Sequence, residues 1–201
     1  MKTITKEITL FKLSELPEDT QRKVISSFRD DDPSPWESEN ADTLKAFTRI
    51  FPVKVRNYEY EDRAIINFTI DAGWDYGEEI KSLSGPRLMR YIYNNYWDDI
   101  TSPKIYYHPS ALGKKRTSRI TRTLEACPLT GYIMDNAILD PLVKFLANPS
   151  KDVTFEELLE DCLHSWLYAC RDDYEFWMSE PSIREDIEAN DYDFTEDGRL
   201  Y

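Results

Sequence analysis

Carboxylates are the groups with the most chemical potential in this 201-residue chain, and they are unevenly placed. Ser150 to Tyr201 holds sixteen Asp and Glu against four Lys and Arg, so this segment carries −12 of the formal −13. The preceding residues hold twenty-two acids against twenty-one bases and are close to neutral. Acidity confined to one region points to a partner with a basic surface. The alternative is a solvated acidic helix face, since Asp and Glu are common on exposed faces. Helical spacing sharpens the first reading. Glu157 and Asp161 stand one turn apart, as do Asp172 and Glu175, so carboxylates recur at about 5–6 Å, near the spacing of phosphates along a nucleic-acid strand. The candidate partner-binding set is Glu156, Glu157, Glu160, Asp161, Asp172, Asp173 and Glu175, joined by Glu185, Asp186 and Glu188 on a following helix.

Other chemistry is thinly supported. Asp71, Glu79 and Lys81 suggest a metal-dependent nuclease only by selection from many carboxylates. His108 and His164 lack a partner pattern, and His164 stands at spacings from Cys162 and Cys170 that differ from structural zinc sites. No dinucleotide fingerprint or GxSxG elbow occurs. No catalytic residue, metal site or cofactor is therefore assigned. One basic stretch, Gly113 to Arg122, holds five bases and no acid, and offers Lys114, Lys115, Arg116, Arg119 and Arg122 as possible phosphate contacts. No glycine precedes Gly113-Lys114-Lys115-Arg116-Thr117 at the offset a phosphate-cradling loop needs. The favoured reading is a mobile, solvated loop that docks on the chain's own acidic helices.

The elements that must position these groups follow from periodicity. Ile4, Ile8, Leu10, Phe11 and Leu13 predict an opening strand over 3–13, and Leu16, Val24, Ile25 and Phe28 a helix over 17–29. A breaker at Asp30–Pro35 precedes a helix from Trp36 to Phe51. Val53, Val55, Tyr58 and Tyr60, then Ala64 to Ile70, predict a hairpin, and the opening strand is expected to join it in a central antiparallel sheet. Gly73 to Ser84 reads as a loop leading into a helix over Pro86–Trp97, whose aromatics are expected to form a packed face. Lys104 to His108 reads as a short strand. Cys127-Pro128-Leu129-Thr130-Gly131 is a compact turn before a helix that bears Ile138, Leu142, Phe145 and Leu146. Thr154 with Glu157 forms a capping box, which opens a long helix with a stripe from Leu158 through Trp166 to Trp177. Asp197-Gly198 suggests a terminal hairpin.

The fold class expected is α+β: a small antiparallel sheet covered by several helices, with a long acidic C-terminal helix. Residues 1–149 form the core, and 150–201 an acidic helical region packed on it, as one continuous domain. Aromatics at 13% argue against disorder. Three cysteines without a CxxC pair fit reduced thiols, with Cys162 and Cys170 as small core hydrophobes. No apolar run has signal or membrane-span length, so a cytoplasmic, membrane-free protein is expected.

Four segments together resemble a known family: "EITLFKLSELPEDTQRKVI", "GPRLMRYIYNNYW", "CPLTG" with "LDPLVKFL", and "DYDFTEDGRLY". The family comprises small acidic proteins encoded by bacteriophages and prophages, often loosely labelled as antitoxins of toxin–antitoxin stability systems. The resemblance spans most of the chain and carries no catalytic residues. It implies action in a host bacterial cell and a host-directed partner. Combined with the acidic helices, it leads to a non-enzymatic inhibitor of a basic-surfaced, nucleic-acid-binding defence effector of restriction or CRISPR type. Direct nucleic-acid binding is not expected. One alternative is an antitoxin-like or regulatory protein that neutralises a cognate partner through aromatics around Trp74, Tyr76 and Trp97. Another is a nucleic-acid-binding protein or nuclease that uses the basic stretch.

Overall fold

Among the residues described, which are 7–31, 36–71, 77–107 and 115–201 of the computed structural model, the apolar periodicities resolve into eight α-helices and two antiparallel two-stranded ribbons. The fold is α+β. In chain order the elements are α1 (Glu18–Asp31), α2 (Glu37–Ile50), β1 (Val53–Glu59), β2 (Ile65–Ile70), α3 (Gly77–Lys81), α4 (Gly85–Asn95), α5 (Trp97–Ile100), β3 (Ser102–Tyr107), β4 (Lys115–Thr123), α6 (Met134–Ala147), α7 (Phe155–Trp177) and α8 (Glu180–Ala189). The chain divides into two compact units. The smaller is Met1–Glu37 with Asp172–Tyr201, and the larger is Ser38–Arg171. Composition changes at Ser150, but the division falls inside α7, because compaction follows apolar contacts and charge does not.

In the larger unit, β1 and β2 pair antiparallel with Val53 opposite Ile70 and Glu59 opposite Ile65, and a bulge lies between Val55 and Asn57. The bulge explains the uneven apolar spacing of β1. One extra residue moves the inward set from Val53 and Val55 to Tyr58 and Tyr60 without changing the buried face. Helices cover this ribbon. The stripe of α7 is buried through Phe155, Leu158, Leu159, Cys162, Leu163, Trp166, Leu167 and Cys170. Trp166, fully buried, meets the Tyr58 ring edge-on at 4.9 Å and donates Nε1–H to the Asn40 carbonyl at 3.1 Å. Burial pushes the Cys162 thiol well above its ordinary range, as a core role requires.

The aromatic helix expected over Pro86–Trp97 is broken at Tyr96, between α4 and α5. Tyr96 leaves helical geometry and packs between Phe51 at 4.9 Å and Phe155 at 5.9 Å. Desolvation, with the Tyr91 hydroxyl beside it, raises its phenol above the ordinary value. Leu88 and Ile92 form the buried face as expected. Part of the stretch read as a loop over Gly73–Ser84 is the short helix α3. Trp74, Tyr76 and His108 lie outside the described residues.

In the smaller unit, the core is Leu13, Leu16, Val24, Ile25, Ile183, Ile187 and Phe194, with Phe28 and Tyr192 against it. Helix α1 packs on α8. Over the described residues 7–13 the opening segment does not pair with the β1–β2 ribbon as expected. Of the described part, Phe11 makes an isolated antiparallel bridge with Phe194, with N–H to carbonyl bonds of 2.8 and 2.9 Å. Ile8 remains 46% exposed. Alternation predicts extended backbone, but a strand's partner is a long-range choice that the pattern does not contain. The terminal turn is present: Phe194 bridges Leu200, and Gly198 sits at φ +86°. A Cβ there would lie 2.9 Å from Thr20 and 3.0 Å from Val24, so the turn needs glycine both for its backbone and for its approach to α1.

Candidate partner-binding surface

The ten candidate carboxylates separate into two groups. Glu156, Glu157, Glu160 and Asp161 are exposed on the first turns of α7, in the larger unit. That unit holds nineteen Asp and Glu against seventeen Lys and Arg, so these acids stand on a nearly neutral body. Two of them have local partners. Glu156 lies 3.8 Å from Lys81. Glu157 closes the capping box: its Oε2 accepts from the Thr154 backbone N–H and hydroxyl, both at 2.8 Å, while Thr154 Oγ1 accepts from the Glu157 N–H at 3.3 Å.

The Thr154 backbone and hydroxyl bonds hold the Glu157 carboxyl below its usual value. A folded-state value below the unfolded one means stability that is present above the unfolded pKa and lost as pH falls through the folded one. Thr154→Ala should cost about 1 kcal/mol through loss of the cap. Glu157→Gln should lower Tm at neutral pH, with the difference from wild type shrinking in acid. Thermal unfolding from neutral pH down to the carboxylate range checks both. A Glu157→Gln deficit that is constant across that range would reject the assignment.

The smaller unit carries the rest of the candidates and almost all the charge. It holds nineteen Asp and Glu against eight Lys and Arg, or −11 of the −13. Several of its cations are already paired. Lys12 sits 2.7 Å from Asp191 and 2.8 Å from Asp193, Arg184 2.8 Å from Glu180, Arg22 2.6 Å from Asp19, and Arg199 3.1 Å from Asp197. The hydrogen bonds to Asp191 and Asp193 raise the Lys12 pKa. Asp172, Glu185, Asp186 and Glu188 are exposed, and among the described residues no Lys or Arg stands at ion-pair distance from them. Glu175 is exposed at the end of α7.

Asp173 has a different character from its neighbours. It is partly buried, and one oxygen, Oδ2, is buried with no hydrogen-bond partner among the described residues. Desolvation raises its carboxyl above the usual range, opposed by a hydrogen bond with the Trp177 side chain. Asp173 therefore faces packing and orients an indole, whereas Asp172 beside it faces solvent.

The basic stretch is a correction to the expected loop. Lys114 lies outside the described residues, but from Lys115 the chain is strand β4, paired antiparallel with β3 from Tyr107 opposite Lys115 to Ser102 opposite Thr123. Thr117, Ile120, Thr121 and Thr123 supply the β-branched content, which outweighs the charge of Lys115, Arg116 and Arg119 in setting the backbone. Arg122 serves the fold. It donates to the Asp98 carbonyl at 2.7 Å, to Thr101 Oγ1 at 2.9 Å and to the Thr101 carbonyl, and stands 3.1 Å from the Asp98 carboxylate. Its guanidinium fastens the turn after α5.

Of the groups weighed for catalysis, Asp71 pairs with Lys54 at 2.6 Å, while Lys81 lies near Glu78 and Glu156. His164 packs among Phe68 and Tyr168 and lines a cleft of about 520 Å³ with Asp140, Lys144 and Asp161. Among the described residues no group of three or more His, Cys, Asp or Glu is placed to hold a metal ion. No helix there is long and apolar enough to cross a membrane.

Two features escaped the sequence reading. Asp135, fully buried in the first turn of α6, accepts from Thr43 Oγ1 at 3.0 Å, Thr130 Oγ1 at 2.7 Å and the backbone N–H groups of Leu129, Thr130 and Gly131 at 2.7–3.0 Å. An acid four residues after a Leu-Thr-Gly turn, at a helix start, is the signal that was available. The other is the approach of Trp36 to Trp177, with ring centroids 6.5 Å apart. No sequence pattern links them. Comparison with family models, with curated proteins and with solved structures finds no match.

Proposed function

We propose that this chain is a non-enzymatic interaction protein that binds a basic protein surface of the kind built to hold phosphates. The single observation that supports this most is the −11 charge of the smaller unit, with Asp172, Glu185, Asp186 and Glu188 exposed and, among the described residues, without a Lys or Arg at ion-pair distance. Distributed charge of one sign steers association and competes with polyanions for the same groove. The family resemblance extends the proposal to a phage-encoded inhibitor in a bacterial host, acting on a nucleic-acid-binding defence effector of restriction or CRISPR type. The working surface is placed on the smaller unit and not along the whole acidic segment, because Glu156 and Glu157 have partners within a nearly neutral unit.

The test is capture from a bacterial lysate followed by association kinetics with the retained protein. The reading expects a basic, nucleic-acid-binding protein that duplex DNA and rising salt both release. Reversal of Asp172, Glu185 and Glu188 to Lys should slow association about tenfold at low salt and flatten the salt dependence, with folding largely unchanged. Reversal of Glu160 and Asp161 should have a much smaller effect. Wild-type association by the triple variant would reject the proposal, as would a complex indifferent to both DNA and salt.

A further inference from the structure

The smaller unit holds a feature that distributed charge does not account for. A cleft of about 250 Å³ is lined by Phe28, Trp36, Trp177, Met178, Ile183 and Asp186. It is smaller than the roughly 300–1,000 Å³ typical of sites for drug-sized ligands, and suits one long side chain. Its walls are aromatic. The Trp36 and Trp177 rings are inclined at 53°, so they form a wedge and not a closed stack, and one position can lie within about 6 Å of both centroids. Trp36 is 44% exposed although it is among the most apolar side chains of a strongly acidic unit, and Phe176, 59% exposed, extends the aromatic surface against Trp177 at 5.6 Å.

Carboxylates complete the cleft. Asp186 lines it directly, and Asp173 hydrogen-bonds the Trp177 side chain and so holds that indole in place. Among the described residues none that lines it is cationic. Arg29, beside Phe28 on α1, donates Nε–H to the Met178 carbonyl at 2.9 Å. Two indole faces with a carboxylate beside them, in a unit of −11 charge, form an environment that favours a cation with flat, weakly hydrated faces.

The geometry points to the Trp36–Trp177 cleft as the receptor for one arginine side chain of the basic partner, with the guanidinium between the indoles and an ion pair to Asp186. Arginine is the occupant, not lysine, because a planar guanidinium stacks on aromatic rings and is less strongly hydrated than an ammonium. The inference rests on the reading of the acidic unit as a protein-binding surface and names an anchor within that unit. Around such an anchor, steering charges set the association rate and the filled pocket sets the dissociation rate.

The test uses the full chain with assigned tryptophan indole N–H resonances, titrated with three blocked amino acids: N-acetyl-arginine amide, its neutral isostere N-acetyl-citrulline amide, and N-acetyl-lysine amide. The arginine derivative should shift the Trp36 and Trp177 signals in the millimolar range, and the citrulline derivative should leave them in place. Trp36→Ala, at an exposed position, should abolish the Trp177 shift. Asp186→Asn should weaken it several-fold while leaving the remaining indole signals unchanged. Equal shifts with citrulline or lysine, no shifts at all, or arginine binding that survives Trp36→Ala would each overturn the assignment. Against the captured partner, Trp36→Ala should speed dissociation at least tenfold with association unchanged. A slower association after charge reversal together with unchanged dissociation after Trp36→Ala would remove the anchor and keep the acidic surface. An arginine response without any effect of charge reversal would do the opposite.

Discussion

Trp166→Ala should destabilise the larger unit by about 3–5 kcal/mol, raising its unfolded population by two to more than three orders of magnitude. The side chain is fully buried, stands edge-on to Tyr58, and ties α7 to α2 through the Asn40 carbonyl. Truncation removes the apolar area, leaves a cavity beneath the β1–β2 ribbon, and takes away the indole bond to the Asn40 carbonyl, which keeps its place in the α2 ladder. Trp166→Phe separates these contributions. It keeps most of the packing and the Asn40 carbonyl keeps its helical donor, so its loss should fall to about 0.5–1.5 kcal/mol, the net worth of one hydrogen bond. Urea unfolding followed by far-ultraviolet circular dichroism reads both variants. An unchanged midpoint for Trp166→Ala would show that the α7 stripe does not carry the larger unit's stability.

Asp135→Ala should cost about 3 kcal/mol or more, an effect close to that of Trp166→Ala from a side chain with far less apolar area. Three backbone N–H groups and two threonine hydroxyls converge on this carboxyl group, and hydrogen bonds to a charged group are worth about 1.5–3 kcal/mol each before water, or for Gly131 the Cys127 carbonyl, repairs part of the loss. Asp135→Asn fills the space but presents an amide NH2 where an acceptor is needed, so it should recover only part of the loss. The damage should be local before it is global. Hydrogen exchange at Leu129, Thr130 and Gly131 should accelerate strongly in both variants, while the α7 amides follow the overall change in stability. Wild-type protection of those three amides in Asp135→Ala would mean that the turn is held by other contacts.

Both sites bear on what could be read in advance. The α7 stripe and its capping box were legible because helix period and cap chemistry are written within a few residues of each other, and Thr154 with Glu157 appears as expected. The β1–β2 hairpin was legible as a hairpin, whereas its bulge emerged only in the structure. Apolar residues at 53, 55, 58 and 60 bracket the extra residue that becomes the bulge. The basic stretch was misread because five charges suggested solvation, while its β-branched residues and a partner strand at 102–107 decided the backbone.

From the sequence alone came the α+β class, the main helices, the hairpin, and the fact of strong acidity, because each depends on local periodicity or on composition. Tertiary structure decided which carboxylates share a body. The N-terminal segment folds with the C-terminal one through Phe11 and Phe194, and this gathers −11 into the smaller unit while leaving Glu156 to Asp161 with a nearly neutral one. It also placed Trp36 against Trp177 and turned Asp173 inward while Asp172 stays in water. Such pairings join residues far apart in the chain, and they are selected by which apolar surfaces fit together on collapse, a choice that no short window of sequence contains.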